Sequence, residues 1–175
     1  LTKMPNTTRL PASVDALLRS MVGYNTVNSS ISGLPDAELE LSRFLETQAR
    51  MSGLQMQRLP VSGEGFNLLV SHRVAAEAPW LLFESHLDTV SVEGMTVDPL
   101  AGLIEGSRLY GRGACDTKGT GAAMLWALKG CVEDGAAARN IAMLYTVDEE
   151  ITKTGVRTFV RDQLPSLGWK PRGAV

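Results

Sequence analysis

Apolar residues recur along this chain with two different periods, and the alternation between them outlines the fold. Val14, Leu17, Leu18 and Met21 fall at i, i+3, i+4 and i+7, the stripe of an amphipathic helix. Ala37, Leu41, Phe44 and Leu45 repeat that spacing, and Gly53 stands where a helix would stop, which predicts a second helix over Pro35 to Ser52. The stretch between them, around Ser29-Ser30-Ile31-Ser32-Gly33, reads as a loop, and the first residues, Leu1 to Leu10, as polar and irregular. Leu54 to Val61 reads as a strand. Phe66 to Ser71 and Trp80 to Ser85 are short apolar runs bounded by turn residues, as in strands covered on both faces. Met124, Leu125, Leu128, Cys131 and Val132 mark a long helix that ends before Gly135. Ile141 to Val147 is a further buried strand, Gly155 to Leu164 a helix, Pro165 to Pro171 a loop, and Gly173 to Val175 the start of another strand.

Strands alternating with helices in this way predict an α/β protein, a three-layer α/β/α arrangement with a mostly parallel mixed sheet. With 175 residues the chain has the length of one ordinary domain, and 44% hydrophobic with 21% charged residues is enough to bury a core. No repeat, low-complexity tract or linker composition divides it.

Charge narrows the class of partner. Lys plus Arg number 17 against 19 Asp plus Glu, giving a net charge of -2 with no long block of one sign, which speaks against nucleic acid or an anionic membrane and for a small-molecule ligand. No apolar run approaches the roughly 20 residues of a membrane span, and no signal-peptide order is present at the start, so a cytoplasmic protein is expected. Cys115 and Cys131 are too few for a disulfide framework and are read as reduced thiols. Asn6-Thr7-Thr8 and Asn28-Ser29-Ser30 match the glycosylation acceptor pattern, matches that carry little without a secretory signal.

In open α/β sheets ligands collect at the carboxyl ends of strands. Three polar clusters sit where such ends are expected: Ser85-His86-Leu87-Asp88, the glycine-rich Gly111 to Gly119 stretch with Asp116, and Asp148-Glu149-Glu150. Each has a plain alternative. His86 could be a hydrogen-bonded histidine at a strand end, Asp116 a helix N-cap, and the acidic triplet a solvated run. Asp88, two residues after His86 on an extended segment, lies on the same side and can hold the imidazole through the nitrogen that faces away from a metal. Two adjacent glutamates beside a buried strand become easier to accommodate if divalent metal charge offsets their repulsion. Competing motifs fail. Gly111-Arg112-Gly113 lacks the third glycine of a dinucleotide fingerprint, Lys118-Gly119-Thr120 reverses the order of a phosphate loop, and no nucleophile elbow is present.

Taken in order, His86-x-Asp88, Asp98-Pro99, Leu109-Tyr110-Gly111-Arg112-Gly113, Asp116-Thr117-Lys118-Gly119 and Asp148-Glu149-Glu150 resemble the acetylornithine deacetylase, succinyl-diaminopimelate desuccinylase and glutamate carboxypeptidase family of zinc metallopeptidases. The resemblance implies two zinc ions, replaceable by cobalt. It makes His86 a ligand of one zinc, Asp116 the bridging ligand and Glu150 a ligand of the other. It also makes Asp88 the residue that orients His86, Glu149 the general base, and the peptide after Asp116 cis. Hydrolysis of the amide of an N-acyl amino acid follows. Acetylornithine, a step of arginine biosynthesis, is favoured by the Gly-Ala-Cys-Asp-Thr-Lys-Gly stretch. Succinyl-diaminopimelate and dipeptide or carboxypeptidase substrates are the alternatives, and a non-catalytic binding domain is the rival of another class. Leu100 follows Pro99 where the family often carries Phe. The family's remaining carboxylate and histidine ligands, its dimerisation domain and the rest of its catalytic domain are expected beyond Val175, in a homodimeric full-length protein. Residues 1–175 are accordingly read as the N-terminal portion of a catalytic domain, inactive alone. His72 is read as structural.

Overall fold

The computed structural model describes residues 11–175, so the irregular start and the Asn6-Thr7-Thr8 match lie outside the described residues. A five-stranded mixed sheet forms the middle layer, built from β1 (Gln55–Val61), β2 (Gly65–His72), β3 (Trp80–His86), β6 (Asn140–Thr146) and β7 (Pro171–Ala174) in the order β1-β2-β6-β3-β7. β6, β3 and β7 run parallel, whereas β1 pairs antiparallel with β2 and β2 antiparallel with β6. The antiparallel part follows from chain length: only three residues join β1 to β2, which suffices for a hairpin and not for a parallel crossover. The crossover from β3 to β6 carries helix α4 (Lys118–Glu133), which lies against β3.

Each face of the sheet buries its own apolar cluster. Helices α1 (Val14–Val22), α3 (Leu39–Met51) and α4 cover one face, where Leu17, Met21, Leu41, Phe44, Leu45, Leu125 and Leu128 meet Leu68, Val70, Met143 and Tyr145. The other face packs Leu69, Leu82, Ala142 and Leu144 against Phe159. Trp80 and Trp169 stack there with ring centroids 4.4 Å apart. Phe159 belongs to a nearly continuous helical segment made of α5 (Thr154–Thr158), a π turn over Phe159–Gln163 and α6 (Leu164–Ser166). Among the described residues no helix is long and apolar enough to cross a membrane.

Several local expectations shift. The second helix starts at Leu39 rather than Pro35, because Asp36 takes a left-handed φ of 52° and interrupts a helix there. The Ser29 region is a single helical turn, α2 (Ser29–Ser32), capped by the Asn28 side chain accepting from the Ser30 N–H and closed by Gly33. The segment expected to be a loop from Pro165 to Pro171 is helical through Ser166 and enters β7 at Pro171. A small hairpin, β4 (Leu103–Glu105) with β5 (Arg108–Tyr110), was not anticipated; its three-residue strands are too short for a period to show.

Candidate metal centre

The parallel register of β3 and β6 builds the site. His86 is the partner of Thr146, so the residues that follow both strands emerge side by side at one rim of the sheet. His86 closes β3, Asp88 lies two residues on, and Asp148-Glu149-Glu150 follows β6 after Val147. Asp116 comes from the turn that leads into α4. Close backbone approach holds that turn down: a Cβ at Gly119 would meet the Ala114 carbonyl oxygen at 2.3 Å, and Gly113, at φ 78°, lies against Thr89 and the buried Lys118 stem. Lys118 donates from Nζ to the Tyr24 carbonyl at 2.8 Å, and burial lowers its pKa to about 7.

One ligand atom from each of His86, Asp116 and Glu150 lies within 4.8 Å of the other two. His86 Nε2 is 3.1 Å from Asp116 Oδ1 and 3.8 Å from Glu149 Oε2. The peptide between Asp116 and Thr117 is cis. The donor set fits a divalent transition metal, since it combines one imidazole nitrogen with carboxylate oxygens. His72 ends β2 opposite Ile141, at the other end of the sheet from this rim.

The imidazole is prepared for such a role by its back side. Nδ1 is 3.0 Å from the Asp88 main-chain carbonyl and 3.5 Å from Asp88 Oδ1, so the carbonyl, rather than the carboxylate, is the nearer acceptor. A carbonyl only accepts, so in the neutral ring the proton sits on Nδ1 and the Nε2 lone pair faces Asp116. Burial works against the charged ring, but the Asp88 hydrogen bonds and charge, with Asp116, outweigh it and raise His86 to about 9.

The Asp88 carboxylate, fully buried, has a second task. Oδ1 accepts from the Glu149 N–H at 2.9 Å, and Oδ2 from the Glu150 N–H at 3.0 Å and from Asn28 Nδ2 at 2.7 Å. Burial alone would raise its pKa, but these donors and His86 hold it below the usual carboxylate value. One aspartate thus fixes both the imidazole and the backbone that presents Glu149 and Glu150. Asp148, at a left-handed φ of 55°, turns its side chain inward to Asn28, Thr152 and the Thr154 N–H. Glu149 points outward, where Lys153 pairs with it. Burial, followed by the opposing attraction of His86 and the repulsion of Asp116, Asp88 and Glu149, leaves the Glu150 pKa raised.

Two buried residues of this network escape a reading of the sequence. Asn28 touches partners 60 and 120 residues away, and its Nδ2 is buried against carboxylates, which closes the Asn28-Ser29-Ser30 match to glycosylation. Glu38, beneath Asp148, accepts from the Asp148 N–H at 3.3 Å, and burial raises it to about 7. The loop expected around Ser29 gave no reason to notice the cap at Asn28, and the distant partners of both residues leave no local trace.

Comparison with known proteins adds an independent line. The profile of peptidase family M20/M25/M40 matches residues 82–174, from β3 to β7. Succinyl-diaminopimelate desuccinylase of Gluconobacter oxydans is 42% identical over 79 residues, covering 45% of this chain and 21% of the relative. Acetylornithine deacetylase of Edwardsiella ictaluri is 31% identical over 156 residues, covering 87% and 40%. Both are longer proteins, and the chain spans less than half of either. An M20 family metallo-carboxypeptidase from Sulfolobus solfataricus shares the fold with a TM-score of 0.78 at 23% identity, over 90% of this chain and 35% of that one. A Bacillus subtilis protein described as a dinuclear metal-binding peptidase of the M20 family superposes with a TM-score of 0.63 at 13% identity, over 89% and 39%. With the family profile matched over more than half of its length, this chain belongs to peptidase family M20/M25/M40.

Proposed function

We propose that this chain supplies the His86, Asp116 and Glu150 part of a two-zinc centre to an amidohydrolase acting on N-acyl amino acids. The observation that carries the reading is the convergence of one imidazole nitrogen and two carboxylate oxygens within 4.8 Å of one another at the strand rim. A metal pair held there would supply positive charge that polarises a scissile carbonyl and eases deprotonation of water. The protein's own residues do the rest. Asp88 keeps the Nδ1 proton of His86 in place and clamps the Glu149 and Glu150 amides. Glu149, directed outward beside His86 Nε2, takes the water proton and passes it to the departing amine. Lys153 pairs with Glu149 on the side away from His86 Nε2.

Acetylornithine is the favoured substrate, supported by the acetylornithine deacetylase relative that aligns with 87% of the chain. The desuccinylase reading has its own support in the 42% and 38% identity to two desuccinylases over shorter stretches. The two are separated by assaying the full-length protein that contains this chain against N-acetyl and N-succinyl amino acids and dipeptides. Turnover of acetylornithine with little release of succinate supports the first reading, and the reverse order replaces it. Residues 1–175, as the N-terminal portion of a homodimeric enzyme with three of five zinc ligands, are expected to bind zinc weakly and to be inactive alone. Tight binding of two zincs with turnover by the isolated chain would overturn that expectation.

A further inference from the structure

Behind the metal-binding rim lies a polar junction in which Asp88 meets two residues with no part in the proposed chemistry, Asn28 and Asp148. Asp88 and Asp148 are both carboxylates, both almost wholly buried, and both held below the ordinary carboxylate pKa, against burial, by hydrogen bonds. Two neighbouring buried anions repel each other unless donors lie between them. The donor between these two is Asn28 Nδ2, 2.7 Å from Asp88 Oδ2 and 3.0 Å from Asp148 Oδ1. Its orientation is fixed from the other side, because Asn28 Oδ1 accepts the Ser30 N–H at 2.9 Å. Flipping the amide would set its oxygen against two carboxylates and its NH2 against an N–H. The Asn28 main-chain N–H donates to the Thr89 carbonyl at 2.9 Å, one residue past Asp88. Every polar hydrogen of Asn28 is therefore spent on the segments that follow β3 and β6.

We infer that Asn28 is a positioning residue of the metal centre, a bridge that sets the distance between the β3 rim carrying His86 and the β6 rim carrying Glu149 and Glu150. It lies outside the stretch matched by the family profile and on a different element from every proposed ligand. Its effect passes through Asp88, which contacts His86 and both glutamate amides, and through Asp148, whose left-handed backbone starts the turn into Glu149. Asparagine suits the place: one nitrogen carries two donors for two anions while the oxygen caps α2. Aspartate would add a third buried anion, alanine would leave the two carboxylates facing each other, and serine keeps an N-cap acceptor but has only one hydroxyl proton.

This inference rests on the reading of His86, Asp116 and Glu150 as metal ligands, and its test separates the two. Cobalt(II) is titrated into the 175-residue chain and into Asn28→Ala and Asn28→Ser, following the visible absorption of the bound ion, with thermal unfolding recorded alongside. Leu69→Val, on the opposite sheet face, serves as a control for loss of stability. The expected result is a 10- to 100-fold weaker affinity with an altered spectrum for Asn28→Ala, the range seen when groups supporting metal ligands are removed. Asn28→Ser should show a smaller loss, and Leu69→Val an unchanged affinity despite a lower Tm. Should Asn28→Ala fail to fold, Asn28→Ser carries the comparison. Affinity within twofold of the unaltered chain in the folded Asn28 variants, or an equal loss in Leu69→Val, would overturn the positioning role. No saturable cobalt uptake by the unaltered chain would instead overturn the metal reading on which it rests.

Discussion

The floor of the site and its rim are built from the same residue type and behave in opposite ways. On the floor, Asp88 is fully buried and its carboxylate receives three donors. On the rim, the Asp116 side chain is 78% exposed and, among the described residues, its one polar contact is the imidazole of His86. A carboxylate whose lone pairs are spent on N–H groups is structural, whereas one left underbonded beside an imidazole and a second carboxylate has capacity for a cation. The contrast assigns stability to the floor and binding to the rim, and each can be perturbed separately.

The largest effect is expected at Asp88. Asp88→Ala removes the acceptor for two main-chain amides and Asn28 and should cost about 3 kcal/mol or more in stability, together with metal uptake. Urea unfolding measures the first and cobalt titration the second; a loss below 1 kcal/mol would break the contrast. Asp116→Ala should reverse the balance. Metal affinity should fall at least about 10-fold, while stability stays within about 0.5 kcal/mol, as for other exposed positions.

A smaller effect separates Glu38, which lies under the floor. Its pKa, raised to about 7 by burial first and the repulsion of Asp88 after, means that the folded state holds a proton the unfolded chain has released above about 4.5. Folding is therefore favoured on the acidic side, and this contribution is lost as pH rises from about 4.5 through 7. Glu38→Gln, which keeps the oxygen facing the Asp148 N–H, should be more stable than the unaltered chain at pH 8 by about 1 to 3 kcal/mol and equal to it near pH 4.5. Unfolding curves of the two proteins at both pH values check the sign.

His86 supplies the most indirect effect. Its pKa, raised to about 9 by Asp88 and Asp116 against burial, contributes stability fully present below about 6.5 and lost as pH climbs through 9. Metal binding needs the neutral ring, so apparent metal affinity should rise over that same interval. Stability and metal affinity should thus move in opposite directions between pH 6.5 and 9, and a parallel trend would contradict this account of the imidazole.

How much of this was legible in the sequence depended on whether the relevant neighbours were near in the chain. β3, β6 and α4 could be read because long apolar runs of one period carry their own signal, and the polar residues at the ends of the two strands marked the rim. The start of α3 was misplaced because a left-handed backbone at Asp36 leaves no trace in an apolar pattern. The β4–β5 hairpin was missed because short exposed strands have none. His86, Asp116 and Glu150 drew notice as ligand types at strand and loop ends, and the structure brings them together. Asn28 and Glu38 did not, because their partners come from segments far along the chain. The role of Asp88 was half legible: its closeness to His86 follows from two-residue spacing, whereas its grip on the Glu149 and Glu150 amides requires the β3–β6 pairing.

Zinc titration of the 175-residue chain beside Asp116→Ala, by calorimetry with unfolding temperatures measured on the same samples, is the most direct test that the underbonded rim is a cation site. Saturable uptake by the unaltered chain, weakened at least about 10-fold in the variant at an unchanged Tm, is the predicted result. Uptake that is absent, or equal in the two proteins, would contradict it.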